Sequence, residues 1–199
     1  CVSLRGRPAD KGERCPFYYR ARPEMLRCLT QAGIDLVTGA NNHGGDYGPQ
    51  SVADTIAWCA QAGLPCVGIG TNATSAEIPQ LVQIGPLRVG FAGMDTTKLC
   101  FSAEQNRPGT SHAPEDKDLT AFTEKVARLG QWAEGRCQLL ILTIHWGKNW
   151  VRETQQIHRQ MARIAFEHGV DVILGHSAHR LQGIEVVAGK PVVYDMGNL

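Results

Sequence analysis

Seven histidines are scattered along the chain, and the position of four of them carries the chemistry. His43 follows an apolar run at 34–37, in the loop Asn41-Asn42-His43-Gly44-Gly45-Asp46-Tyr47-Gly48. His145 follows the run 139–144, and His176 and His179 follow 170–174. Asn198 follows a last run at 191–195. Neutral imidazoles and amide carbonyls converging on one point suit Zn, Mn or Fe. The spacing of His176 and His179 places both rings on one ion or on neighbouring ions. The other reading is a set of hydrogen-bonded structural histidines, and a single histidine after a strand favours it. Asp46, three residues after His43, either orients that ring or caps the helix that Pro49 opens. His112, His158 and His168 fall in a loop or on helices and are expected to be solvated.

The positioning elements follow from hydrophobic periodicity. Residues 1–20 are polar, rich in Gly, Pro and Arg, and read as extended loop. Pro23 opens a helical stretch with Met25, Leu26 and Leu29 on one face, closed by Gly33. Pro49 opens a second helix carrying Val52, Ile56 and Cys59, which Gly63 ends. Strands are expected at 34–37 and 66–69, and a hairpin at 80–84 and 87–92 turns at Gly85-Pro86. Residues 95–115 are turn-rich, helices are expected at 118–133 and 154–168, and the run 139–144 reads as a parallel strand buried on both faces. A second hairpin joins 184–187 to 192–194 through Ala188-Gly189-Lys190. Alternating strands and helices predict layered α/β architecture with largely parallel strands plus hairpins. In such a sheet the loops beyond the carboxyl ends of the strands share one crevice, which places the Asn and His loops on one rim.

Composition narrows the partners. Lys+Arg total 20 against 19 Asp+Glu, a formal net charge of +1, so no basic field points to nucleic acid or an anionic membrane. No run of apolar residues is long enough to span a bilayer. The 7 cysteines are widely spaced, without a Cys-x-x-Cys, and read as reduced thiols; Cys28 and Cys59 are expected among apolar neighbours. These cysteines lean towards a cytoplasmic setting. A two-metal hydrolytic centre also needs carboxylates to offset and bridge its ions, yet only Asp46 and Asp195 fall near the histidine loops. The chain opens on Cys1 without Met, and is expected to be a single domain, 1–199, truncated at both ends. The carboxylate ligands are then expected before Cys1.

Several motifs in order carry a family resemblance across nearly the whole chain. Ala40-Asn41-Asn42-His43-x-x-Asp46-Tyr47-Gly48, His145-Trp146-Gly147, Gly175-His176-x-x-His179, Gln182-Gly183-Ile184-Glu185 and Tyr194-x-x-Gly197-Asn198 resemble the bacterial capsule-synthesis CapA (poly-γ-glutamate biosynthesis) family. That family is similar to calcineurin-like metallophosphoesterases, layered α/β folds with two metal ions at the strand ends. The resemblance implies Asn42, His145, His176 and His179 as metal ligands, with two divalent ions (Mn, Fe or Zn), and His43 as the group that donates a proton or hydrogen bond to the reacting centre. It implies further that a Gly-Asp strand motif and an Asn-Leu-Glu motif precede Cys1, and it allows an envelope-facing location. The chain departs from the commonest pattern at Gly-His-Ser-Ala-His, where Gly-His-His-Pro-His is usual, and at Asn149, where Glu is usual.

Two functional classes follow. One is a metal-dependent hydrolase acting on a phosphoester or a γ-glutamyl amide, with His43 and Asp46 as its proton-handling pair. The other is an accessory protein that binds an acidic polymer without cleaving it. Asn41, Lys148 and Arg180 are the candidate contacts for an anionic small molecule or polymer, with Arg152 beside them; ordinary solvated charge is the competing reading of the three cations. A structural remnant whose histidines only bond the core is the third, bland alternative. Trp146 and Trp150 are expected in the wall or core.

Overall fold

The computed structural model describes residues 1–198. Its frame is a mixed six-stranded sheet built from β4 (Gln80–Ile84), β5 (Leu87–Asp95), β7 (Leu139–His145), β8 (Val172–His176), β9 (Ile184–Val187) and β10 (Lys190–Val193), in the order β4-β5-β7-β8-β10-β9. The four central strands β5, β7, β8 and β10 run parallel, and the edge strands β4 and β9 are antiparallel hairpin partners. Ala188 and Gly189 both have positive φ, 52° and 81°. That is the two-residue turn whose twist matches a hairpin. Two smaller sheets complete the layers. One is the parallel pair β1 (Val37–Thr38) and β2 (Cys66–Val67), the other the antiparallel pair β3 (Ile69–Gly70) and β6 (Gly109–Thr110).

Two helices cover one face of the large sheet. Helix α5 (Gln156–Glu167) buries His158, Met161, Ala162, Ala165 and Phe166, a spacing of three and four residues that puts one stripe on the core. Helix α4 (Thr120–Ala133) does the same with Phe122, Val126 and Leu129. Against them pack Ala92 and Met94 of β5, Leu140, Leu142 and Ile144 of β7, and Ile173 of β8. Each of the Leu, Ile and Met side chains among them, fully buried, contributes about 1.5–3 kcal/mol. Because side chains alternate along a strand, the residues next to Met94 and Ile144 must face the other way. A Cβ on Gly93 would meet Thr38 Oγ1, which shows that the small β1–β2 sheet lies on that second side.

Helices α1 (Leu26–Gln31) and α2 (Pro49–Gln61) flank β1, and α3 (Ala73–Glu77) is a short turn capped by Asn72. Gly33, Gly63 and Gly169, at φ of 79°, 65° and 94°, follow α1, α2 and α5 as the periodicity predicts.

Several expectations need correction. The strand expected at 34–37 is displaced to Val37–Thr38, since Ile34 lies exposed in the turn leaving α1. The strand expected at 66–69 is two strands in different sheets, broken at Gly68, whose φ of +77° and close approach to Gly93 turn the chain. On α1 only Leu26 is buried; Met25, Leu29 and Cys28 are exposed. In β7, Leu139 and Ile141 are half-buried rather than enclosed on both faces. His112 and His158 are not solvated: each is buried, beside Asp95 and Glu115 respectively. Trp150, unlike Trp146, is exposed.

Candidate functional site

The parallel register decides which side chains meet. Asp95, His145 and His176 end β5, β7 and β8 and stand opposite one another in an unbroken row. Their neighbours Met94 and Ile144 are in the helix-covered core, so this row faces the β1–β2 side. There the loop after β1 brings in Asn41, Asn42 and His43, and the turn after β8 brings in Ser177 and His179. Together with Tyr19, Gly197 and Asn198 they line a pocket of about 340 Å³. A larger hollow of about 690 Å³, beside Phe101 and Arg107, contains none of these histidines.

His145 and His176 form the floor. Their Nδ1 atoms are 2.9 Å apart, and His176 Nε2 is 3.1 Å from Thr143 Oγ1. Burial pushes both rings down, His145 to about 4 and His176 to about 3, the latter also disfavoured by a positive charge on His145. Both are therefore neutral near pH 7, the form that binds metal. One proton shared between the two Nδ1 atoms makes one ring the donor. Either way, the buried Nε2 of His145 has no hydrogen-bond partner among the described residues.

The opposite wall is His43, whose Nδ1 is 2.7 Å from Asp46 Oδ2. Burial lowers its pKa in spite of Asp46, with the Lys11 charge acting in the same direction. Asp46 is buried, and it does not cap α2, whose N-cap is Gly48 without a side-chain bond. Its Oδ2 also accepts the Tyr19 N–H at 2.7 Å, and its Oδ1 accepts Lys11 Nζ at 2.8 Å. Asn41 Oδ1 accepts the His43 N–H at 2.9 Å, which fixes the loop rather than offering that oxygen to a ligand. Asn42 lines the pocket with its amide free of such a bond among the described residues.

His179 is the exposed member. Its Nδ1 lies 2.9 Å from Asn198 Oδ1, and its ring stacks on Trp150 with centroids 5.3 Å apart. Trp150, Ser177 and His179 all have positive φ, 67°, 132° and 56°. Strain at three non-glycine residues on one rim is the kind that functional sites hold. Lys148 and Arg180 are exposed but outside the pocket lining; the Arg180 guanidinium lies 5.6 Å from the Trp150 ring centre.

As they stand, these donors are a partial set. Among the described residues no three His, Cys, Asp or Glu side chains converge closely enough to hold an ion. The nearby carboxylates are already engaged. Asp95 accepts from Thr97 and Lys98, and Asp195 from the N–H groups of Ala178 and Gly197. Burial raises the Asp95 carboxyl, but His112, His145 and Thr97 outweigh it and hold the pKa below its ordinary value. The orphaned His145 Nε2, the neutral rings and the free Asn42 amide fit a transition-metal ion in donor type, while the charge to balance that ion is missing.

Four participants are not evident from the sequence. Asp95 falls in a stretch that reads as turn-rich, although the alternation Val89-Gly90-Phe91-Ala92-Gly93-Met94 runs straight to it and gives it the same strand-end position as His145. Glu115 accepts the Gly147 N–H at 2.8 Å and lies 3.4 Å from His158, whose ring stacks on Trp146; this holds the turn after His145. Lys11 and Tyr19 come from irregular chain, where no periodicity marks them.

Comparison with known proteins places this chain in a family. A solved structure, of a hypothetical protein from Thermus thermophilus, superposes with a TM-score of 0.57 at 15% identity, over 87% of this chain and 57% of that one, a likeness of fold alone. The chain is 30% identical over 194 residues to a probable polyglutamine synthesis accessory protein of Mycobacterium tuberculosis, covering 94% of this chain and 50% of that protein. It is 27% identical to the PGA biosynthesis protein CapA of Bacillus subtilis, over 92% of this chain and 46% of that protein. The capsule biosynthesis protein CapA of Bacillus anthracis is 25% identical, over 96% and 44%. The chain thus spans about half the length of the curated relatives it matches. Among the described residues no helix is long and apolar enough to cross a membrane. The model of the bacterial capsule synthesis protein family PGA_cap matches residues 2–199, and the chain belongs to that family.

Proposed function

We propose that this domain is the hydrolase-like half of a capsule or polyglutamate synthesis protein, acting with divalent transition metal on a phosphoester or a γ-glutamyl amide. The observation that carries the reading is the meeting of His43, His145, His176 and His179 with Asn42 around one pocket, from three separate stretches of sequence. His145 Nε2, His176, His179 and the Asn42 amide would hold the ions. Carboxylates that complete the set are placed, in this proposal, in sequence preceding Cys1. The chemistry such ions supply when bound is ionisation of water near neutral pH and polarisation of a phosphoryl or carbonyl oxygen.

The chain's own residues supply the rest. His43, bonded through Nδ1 to Asp46, presents Nε2 as the atom that moves a proton to or from the reacting group. Tyr19, packed edge-on against His43 with centroids 4.5 Å apart, restricts the ring's rotation. The test is turnover of phosphodiester and γ-glutamyl amide substrates by the full-length protein beside His43→Ala and His176→Ala. Hydrolysis of one class, lost in both variants, supports the reading. No turnover of either class by metal-loaded protein removes it.

A second reading is favoured by the exposed Trp150–Arg180 stack and by the relatives named accessory proteins: binding of an acidic polymer at the pocket rim without cleavage. Lys148 and Arg180 would then meet carboxylates. Titration with poly-γ-glutamate decides it, since salt-sensitive binding weakened in Lys148→Ala and Arg180→Ala is expected and absence of binding ends it.

A further inference from the structure

We propose that Lys11 is a positioning residue for His43, acting through Asp46 to fix which ring nitrogen carries the proton. The observation begins with an anomaly of burial. Lys11 lies in a stretch of Gly, Pro and charged residues without helix or strand, yet its side chain is only 1% exposed. Lysine is almost never fully buried unless paired, and enclosing an ammonium carries a desolvation cost that the pairing must offset. A loop that served only to cover the surface would leave this side chain in water.

The surroundings show what the burial achieves. Lys11 Nζ donates to Asp46 Oδ1 at 2.8 Å and to the Phe17 carbonyl at 3.1 Å. It lies 5.6 Å from the ring centres of both Tyr18 and Phe101, within range of a cation–π attraction. Asp46 itself is fully enclosed, so its two oxygens have a fixed division of labour. Oδ1 is held by the ammonium, and Oδ2 takes the Tyr19 N–H and faces His43 Nδ1. Rotating the carboxylate would break the Lys11 and Tyr19 bonds together. An oxygen locked at 2.7 Å from Nδ1 as an acceptor requires the proton there, so a neutral His43 keeps Nδ1–H and offers a bare Nε2. Lys11 Nζ is also 3.4 Å from Nδ1. The ammonium is itself a donor, so it cannot serve that N–H; its partner in the dyad is the carboxylate.

The competing account is a plain tether. The same segment is pinned by Ala9 N–H to the Asp46 carbonyl at 2.8 Å and by Tyr18 Oη–H to the Ala9 carbonyl at 2.7 Å. The inference rests on the reading of His43 as the proton-handling group, but its test needs no turnover and no metal. A failed activity screen and a failed tautomer assignment are therefore separate results.

The experiment is nitrogen NMR of full-length protein labelled with 15N-histidine, chelator-treated, at about pH 8, above the ordinary histidine range near 6.5. His43→Gln assigns the signals. Wild type is expected to show His43 as one tautomer, protonated at Nδ1. Lys11→Met, matched in length and uncharged, is expected to shift both nitrogens towards averaged values while the fold persists by circular dichroism. Tyr18→Phe, which loosens the segment but leaves Lys11 in place, is expected to lower the melting temperature without moving the tautomer. A folded Lys11→Met that keeps the wild-type pattern would overturn the proposal and leave Lys11 a tether. If that variant does not fold, wild type still decides: an Nε2–H or mixed His43 overturns it.

Discussion

His145 and His176 stand directly opposite each other at the ends of adjacent parallel strands, Nδ1 to Nδ1 at 2.9 Å. Parallel pairing at this point leaves no freedom in the matter, because a one-residue slip would send either ring into the helix-covered core. His145 is buried and His176 half-buried, both are neutral near pH 7, and one ring nitrogen, His145 Nε2, is without a partner among the described residues. It is the fixed part of the pocket, against which the His43 and His179 loops are set.

Acid sensitivity of the metal-free protein follows from that pair. In the unfolded chain both rings titrate near 6.5, whereas in the folded protein they titrate at about 4 and about 3. Between those values the unfolded state binds more protons, so stability falls as pH drops from about 6.5 towards about 3, and above about 7 the pair adds no pH dependence. Urea midpoints of chelator-treated protein at about pH 7.5 and about pH 5 are expected to fall at the lower pH, and to fall less in His176→Gln. An undiminished drop in that variant would contradict the assignment.

Asp95 is expected to build the site without touching an ion. Its oxygens accept the Thr97 N–H at 3.1 Å, the Thr97 hydroxyl at 2.7 Å and the Lys98 N–H at 3.0 Å, closing the turn after β5. Asp95→Asn should cost about 1–3 kcal/mol of stability, read by urea unfolding, with metal content unchanged. Loss of metal at full stability would make Asp95 a ligand instead.

Much of this arrangement is legible in the sequence, and the exceptions have physical causes. The strand-end placement of His145 and His176 can be read because the largely apolar runs 139–144 and 170–174 stop at or one residue before each histidine. The helix ends at Gly33, Gly63 and Gly169 can be read because only glycine takes those backbone angles cheaply. The burial of His112 is hidden, since irregular chain carries it to Asp95 in space, whereas that of His158 lies at the head of its own helix's buried stripe of Met161, Ala162, Ala165 and Phe166. The split at Gly68 is equally hidden, because it depends on contact with Gly93, 25 residues away along the chain. Lys11 is hidden for the same reason: its burial is decided by Asp46, Tyr18 and Phe101 in space.

The strand position just before His176 should tolerate no added side chain. A Cβ on Gly175 would collide with the Tyr194 carbonyl oxygen, which accepts the Trp146 Nε1–H at 2.8 Å, and with that indole nitrogen itself. Trp146 is among the largest fully enclosed side chains, so it cannot yield into solvent. Gly175→Ala is expected to lose about 1–3 kcal/mol or more by overpacking, measured by thermal or urea unfolding. A change below about 0.5 kcal/mol, the range of an ordinary surface substitution, would show that the packing there is looser than described.

Elemental analysis reads out metal held at these histidines. The full-length protein would be purified without chelator beside His145→Ala and His176→Ala, with cooperative unfolding checked in each. The expected result is about two equivalents of a transition metal in wild type and a clear loss in both folded variants. Wild type without metal, or variants that keep all of it, would contradict the metal-dependent reading and move the weight to polymer binding at the rim.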